Sequence, residues 1–198
     1  MAKRVGSPLG VAVVAAVLAG LVTALVLSFT LDDGGDDATG GGGPPLTLAE
    51  APEEAPQVDL AGTPAPEFRF ESLADGEEVD YAELRAGRPA VVNFFGAWCT
   101  PCVQEMPDFQ EAFESWGDRV AFLGLSTNES PEDGQELVER TGVTYDTGRD
   151  PDGSIVTSFA AVNMPTTIFI RADGTILRSH TGRLYPDELE AALEELVA

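Results

Sequence analysis

The chain has 198 residues, 34 acidic and 11 basic side chains for a formal charge of −23, 43% apolar residues and two cysteines, which suits one modest domain with attachments. Neutralising phosphates takes an excess of Lys and Arg, so the overall balance excludes a nucleic-acid-binding surface. With Cys99, Cys102 and His180 as the only soft or borderline ligands, a four-thiolate iron–sulfur cluster is excluded, a four-ligand zinc site is hard to assemble, and a disulfide scaffold cannot be built.

Residues 1–8 carry Lys3 and Arg4 with no acid, and residues 9–31 carry no charge at all. At about 1.5 Å per residue, that run reaches roughly 34 Å, enough to cross a hydrocarbon core of about 30 Å. Residues 9–31 are therefore expected to be a membrane anchor, with residues 1–8 cytoplasmic under the positive-inside rule and the rest of the chain outside the cytoplasm. A cleaved signal peptide is the rival reading, but the nearest small-x-small site, Ala38-Thr39-Gly40, lies well beyond the apolar run. Residues 32–62 hold eight acids, no base, the run Gly40 to Gly43 and Pro44-Pro45. Such a composition buries too little apolar surface to fold and predicts an acidic Gly/Pro-rich linker averaging roughly 30 Å end to end.

From Thr63 to the C-terminus the pattern is that of a folded domain. Phe68 to Phe70 and Glu78 to Tyr81 flank Asp75-Gly76 as in a hairpin. Ala90 to Phe95 is a nearly continuous apolar run, as expected of a strand covered on both faces. Met106, Phe109, Phe113 and Trp116 recur at helical steps, and Val120 to Leu125 follows as a second buried strand. Ser130-Pro131-Glu132-Asp133 combines an N-cap, a first-turn proline and an early acid, for a helix ending near Gly142. Asp150-Pro151 opens a short helix through Ile155, Val156 and Phe159; strands over Thr166 to Ile170 and Thr175 to Thr181 meet at Asp173-Gly174; and Leu189, Leu193 and Leu196 mark a last helix. This order predicts an α/β domain with a mixed central sheet.

The chemistry concentrates at Trp98-Cys99-Thr100-Pro101-Cys102. Cys99 falls where a helix begins, so its sulfur faces unpaired amides and the positive end of the helix dipole, which favours a thiolate. Cys102, three residues on, lies on nearly the same face, within reach of a low-strain disulfide. A fixed structural disulfide, or zinc held with two further ligands, are the other readings of the pair. His180, in an edge-like strand, reads as solvated or partly packed; Trp116 and the Phe series read as core. Asp146, Asp150 and Asp152 lack the later bidentate Glu of a calcium loop and suit caps and turns.

Trp-Cys-x-x-Cys after a buried strand, with Met164-Pro165-Thr166 some sixty residues later, resembles the thioredoxin superfamily. Within it, Pro64-Ala65-Pro66-Glu67-Phe68, Val92-Asn93-Phe94-Phe95 and Glu105-Met106-Pro107 resemble the membrane-anchored, extracytoplasmic TlpA/ResA-like branch. The likeness runs from about Thr63 to the C-terminus. It implies a thioredoxin fold, a mixed sheet flanked by helices with an N-terminal hairpin extension. It also implies Cys99 as the attacking thiol, Cys102 as the resolving one, and Pro165 as a cis-proline beside a redox disulfide. Trp98, Met164, Pro165 and Thr166 would form the substrate surface, Met164 and Thr166 offering backbone to an extended peptide. The superfamily's buried Asp, six residues before the first Cys, is replaced by Asn93, and Glu105 stands where the branch has an active-site acid, which makes it the candidate proton carrier.

The implied activity is a membrane-tethered thiol-disulfide oxidoreductase that reduces protein disulfides, of the cytochrome c maturation type, with apocytochrome c as a candidate substrate and a membrane thiol as electron donor. No metal or other cofactor and no nucleic acid is expected to take part. The alternatives are a thiol oxidase or isomerase for secreted proteins and a non-catalytic tethered peptide-binding module. Peroxidase chemistry ranks lower, because peroxiredoxins share the Pro-Ala-Pro-Glu-Phe opening but not the Trp-Cys-x-x-Cys pair.

Overall fold

A computed structural model describes residues 59–198. The expected cytoplasmic residues 1–8, the membrane span over 9–31 and the linker up to residue 58 lie outside the described residues. Among the described residues, no helix is long and apolar enough to cross a membrane.

The elements follow as β1 (Arg69–Ser72), β2 (Glu78–Asp80), α1 (Tyr81–Arg85), β3 (Ala90–Phe95), α2 (Thr100–Trp116), β4 (Ala121–Thr127), α3 (Pro131–Thr141), β5 (Asp146–Asp150), α4 (Ser154–Ser158), β6 (Thr166–Ile170), β7 (Ile176–Thr181) and α5 (Pro186–Val197). The strands form one sheet in the order β2-β1-β5-β4-β3-β6-β7. β3, β4 and β5 run parallel, and every other neighbouring pair is antiparallel.

Alternation along β3 assigns the two faces. Val91 and Phe95 pack with Cys102, Met106, Phe109 and Trp116 of α2, Leu137 of α3 and Leu189, Leu193 and Leu196 of α5. Ala90, Val92 and Phe94 pack with Tyr81 of α1 and Ile155, Val156 and Phe159 at α4. The sheet is therefore covered on both sides, which is why β3 and β4 are apolar nearly throughout. Asn93 belongs to the α2 face, a polar residue in an apolar position.

The sheet also sets two poles. β3 ends at Phe95 beside the start of β6, because Phe94 pairs with Thr166; β7 ends at the same pole, since Thr166 pairs with Thr181. The start of β7 lies at the other pole, where Gly62 N–H donates to Ile176 O at 2.8 Å, Ile176 N–H to Thr63 O at 2.8 Å and Ala65 N–H to Gly174 O at 2.9 Å. Leu60 packs on the α1/α4 face, so the last residues of the expected linker are built into the domain.

Several boundaries differ from expectation. Tyr81 opens α1 instead of closing a strand, because Asp80 caps it by accepting from Ala82 N–H at 2.9 Å. Asp146–Asp150 is a strand, not a set of turns. The short helix starts at Ser154 with Gly153 as N-cap. Asp150 still serves its first turn, accepting from Ile155 N–H at 3.1 Å and Val156 N–H at 2.8 Å. The helix over Pro131–Thr141 begins at Ser130 and ends at Gly142 in the left-handed region, φ 71°, as its sequence predicts.

Candidate active site

The site is built where β3 hands over to α2. Phe95 ends the strand, Gly96 to Trp98 form the connection, and Cys99 is the N-cap of α2 with extended backbone. Its Sγ accepts from Cys102 N–H at 3.3 Å, so the sulfur takes up one of the amides that a helix start leaves unpaired. Pro101, in the first turn, forfeits no helical hydrogen bond. Cys99 and Cys102 are joined as a disulfide with Cα atoms 5.3 Å apart. Cys102 is fully buried and Cys99 retains 4% exposure, so what access there is to the pair is through Cys99. Trp98, beside it, is 66% exposed. Its indole lies against Gly96: a Cβ there would fall 2.6 Å from Trp98 Nε1, so the ring's place depends on the missing side chain.

The Met164–Pro165 bond is cis. Because β6 runs antiparallel to β3 with Phe94 opposite Thr166, Pro165 and Met164 continue alongside Phe95 and Gly96, at the cysteine pole. Pro165 is buried and Met164 half-buried, whereas Pro165 O already accepts from Gly182 N–H at 2.8 Å. Thr166 is buried between Phe94 and Thr181; its Oγ1 donates to Asn163 O at 2.7 Å. Of these residues only Met164 lies outside the strand and keeps partial exposure. Thr166 holds the turn before it.

Glu105 lies one turn past Cys102 on α2 and is completely buried, so it is no surface charge. Its Oε1 accepts from Asn93 Nδ2 at 2.9 Å and its Oε2 from Leu184 N–H at 2.9 Å. Asn93 also donates to Thr167 Oγ1 at 3.1 Å. Burial pushes the carboxyl up to about 7, against the Leu184 amide, the Asn93 side chain and the positive Arg183, which all favour the ionised form; Asp108 adds a small upward push. A carboxyl held there gains and loses a proton near neutrality, as a proton carrier must. Arg183 donates to Gln104 Oε1 and O at 3.3 Å and pairs with Asp108 at 3.4 Å, fastening the connection after β7 onto α2.

The fold thus gathers Trp98, Cys99, Cys102, Glu105, Met164, Pro165 and Thr166 at one pole. His180 is half-buried on β7 with its Nε2 3.3 Å from Arg183 O. Among the described residues no group of three or more His, Cys, Asp or Glu side chains converges to hold a metal ion. Leu184, Thr167 and Arg183 escaped the sequence reading: a backbone donor and two partners more than seventy residues away in the chain carry no local motif. So did Glu129, whose Oε2 accepts from Ala97 N–H at 2.7 Å in the connection leading to Cys99.

A family model described as the AhpC/TSA family matches residues 61–179. The thiol-disulfide oxidoreductase ResA of Halalkalibacterium halodurans is 30% identical over 135 residues, 68% of this chain and 76% of that protein. The thiol:disulfide interchange protein HelX of Rhodobacter capsulatus is 29% identical over 140 residues, 70% of this chain and 78% of that protein. The crystal structure of a secreted Mycobacterium tuberculosis disulfide oxidoreductase, homologous to E. coli DsbE, superposes with a TM-score of 0.59 at 29% identity, over 65% of this chain and 96% of that one.

Proposed function

We propose, from the premise that the chain belongs to the AhpC/TSA family of thioredoxin-like proteins and is a thiol-disulfide oxidoreductase, that it reduces protein disulfides outside the cytoplasm, in cytochrome c maturation, while tethered to the membrane. Residues 9–31 are the anchor and residues 32–59 the linker, and the catalytic domain takes in residues 60–62 of the expected linker together with residues 63–198. In the forward cycle the Cys99 thiolate attacks one sulfur of a substrate disulfide; that bond breaks, a mixed disulfide forms, and the other substrate sulfur departs as a thiolate that takes up a proton. Cys102 then gives its proton to the Glu105 carboxylate and attacks Cys99 Sγ. The remaining substrate sulfur leaves and is protonated in turn. The substrate gains two electrons and two protons, and the protein is left with the Cys99–Cys102 disulfide. A membrane thiol donor returns the electrons.

Trp98 and Met164 are the surface on which an extended peptide, apocytochrome c among the candidates, would lie, with Pro165 and Thr166 fixing Met164 against the cysteine pole. The observation that carries the reading is Glu105, buried one turn past Cys102 with its carboxyl held up at about 7: a resolving cysteine with no exposure needs a neighbouring base that works at neutral pH. The test is the redox state of Cys99 and Cys102 in growing cells, fixed by acid quenching and thiol alkylation. A reductase is held largely reduced and turns oxidised when its donor is removed. A pair that is mostly oxidised in unstressed cells overturns the reducing direction and favours disulfide formation in secreted proteins.

A further inference from the structure

Two connections leave the sheet side by side at the cysteine pole. β3 and β4 are parallel with Phe95 opposite Ser126, so Gly96 to Trp98 and Asn128 to Ser130 emerge as neighbours; loops at the carboxyl ends of parallel strands are where α/β sheets place their chemistry. Asn128 turns the second connection sharply, with φ at 57° and its N–H donating to Asp150 O at 3.1 Å. The turn returns Glu129 toward the sheet, where its carboxylate is held at both oxygens. Oε2 accepts from Ala97 N–H at 2.7 Å, and Oε1 accepts from the hydroxyl of the buried Ser126.

Among the described residues, Glu129 is the only side chain hydrogen-bonded to the 96–98 connection, whose one internal tie is Cys99 N–H to Gly96 O at 3.0 Å. Gly96 has no side chain with which to anchor itself, and Trp98 is mostly in solvent. Without Glu129, a peptide unit two residues before the cysteine would lose a charge-assisted hydrogen bond, which is about twice as strong as a neutral one.

We propose that Glu129 is a positioning residue for thiol–disulfide exchange: by bridging Ser126 at the end of β4 to Ala97 N–H, it fixes the connection that presents Trp98 and the Cys99 sulfur to substrate. The proposal rests on Cys99 being the attacking thiol and is independent of the direction in which the enzyme runs.

The experiment compares wild type, Glu129→Gln and Glu129→Ala as the full chain in detergent, each also carrying Trp116→Phe so that Trp98 is the sole tryptophan. Gln keeps an oxygen for Ala97 N–H and offers an amide to the Ser126 hydroxyl, whereas Ala keeps neither. The readouts are fluorescence anisotropy decay of Trp98 and the single-turnover rate of the reduced protein with a peptide disulfide. Glu129→Ala is expected to show added fast depolarisation and exchange slower by roughly tenfold to a hundredfold, the loss that one hydrogen bond to a charged group supports, with Glu129→Gln, which keeps a neutral bond, between it and wild type in both. A wild-type rate and anisotropy in Glu129→Ala overturn the proposal, as does a Glu129→Gln variant as slow as Glu129→Ala. If Glu129→Ala does not fold, Ser126→Ala removes the support at Oε1 alone. Slower exchange with an unchanged circular dichroism spectrum then supports the tether, and wild-type exchange overturns it. The anisotropy reports the tether whichever cysteine attacks, so its failure is distinguishable from a failure of the cysteine assignment.

Discussion

Glu105 accepts hydrogen bonds of 2.9 Å from Asn93 and from Leu184, both of which favour its ionised form, yet loss of water outweighs them and lifts the carboxyl to about 7. The folded protein therefore binds a proton that the unfolded chain releases at lower pH. That stability is present in full below the ordinary carboxylate range and is lost as pH rises through about 7, on the order of 3 kcal/mol across the window. Urea midpoints of the oxidised protein should fall between pH 5 and 8, while Glu105→Gln, which sets an amide group against one of the two donors, should be less stable at pH 5 but nearly flat. An equally steep fall in the Gln variant would place the titration elsewhere. The cysteines differ in exposure, 4% for Cys99 against 0% for Cys102, in line with the proposed attacking and resolving roles. Cys102→Ser should therefore accumulate mixed disulfides with substrates on non-reducing gels, and Cys99→Ser should not; equal trapping contradicts the assignment. The two thiols and the proline were legible from spacing and resemblance. The burial of Glu105 was half legible, since it falls on the stripe of Cys102, Met106 and Phe109, but the Leu184 amide that meets it comes from 79 residues away.

Most elements announced themselves through apolar periodicity or caps, and those that did not share a cause. β5 reads Asp-Thr-Gly-Arg-Asp, with no apolar pattern, because its place between β1 and β4 is secured by backbone pairing and by its neighbours' side chains. Gly148 shows how: the Phe70 ring of β1 lies over it, so that a Cβ would fall 2.1 Å from Phe70 Cδ2 and 3.1 Å from Glu71 O. Gly148→Ala should cost about 1–3 kcal/mol, the usual penalty for overpacking, read as a lowered denaturation midpoint. Shortening the ring by Phe70→Leu in the same chain should recover part of the loss. A Gly148→Ala protein as stable as wild type would mean that the ring moves aside freely. α1 was missed for a related reason: Tyr81 has strand propensity, but its ring stacks on Phe68 at 4.5 Å between centroids, and the Asp80 cap turns the chain there.

At the scale of the whole molecule, residues 63–198 hold 26 acids against nine bases, all of them arginine. Several of those arginines are spent internally: Arg88 donates to the carbonyls of Leu84, Arg85 and Gly117, Arg149 pairs with Glu71 at 2.9 Å, and Arg183 with Asp108. The field outside is negative, so exchange with a basic peptide disulfide should outpace that with an acidic one at low salt, and the gap should close as ionic strength shortens the Debye length to about 8–10 Å. Stopped-flow rates for the two peptides over a salt series measure this, and parallel lines would rule out steering. The attachment of residues 60–65 beside the start of β7 has a mechanical consequence. Any pull transmitted from ahead of residue 59 is borne first by the Gly62–Ile176, Thr63–Ile176 and Ala65–Gly174 hydrogen bonds on an outermost strand. On the proposed tethering the domain would hang by one end and work at the other, and load on the leash would peel six residues from the rim before it disturbed the turn that carries Cys99.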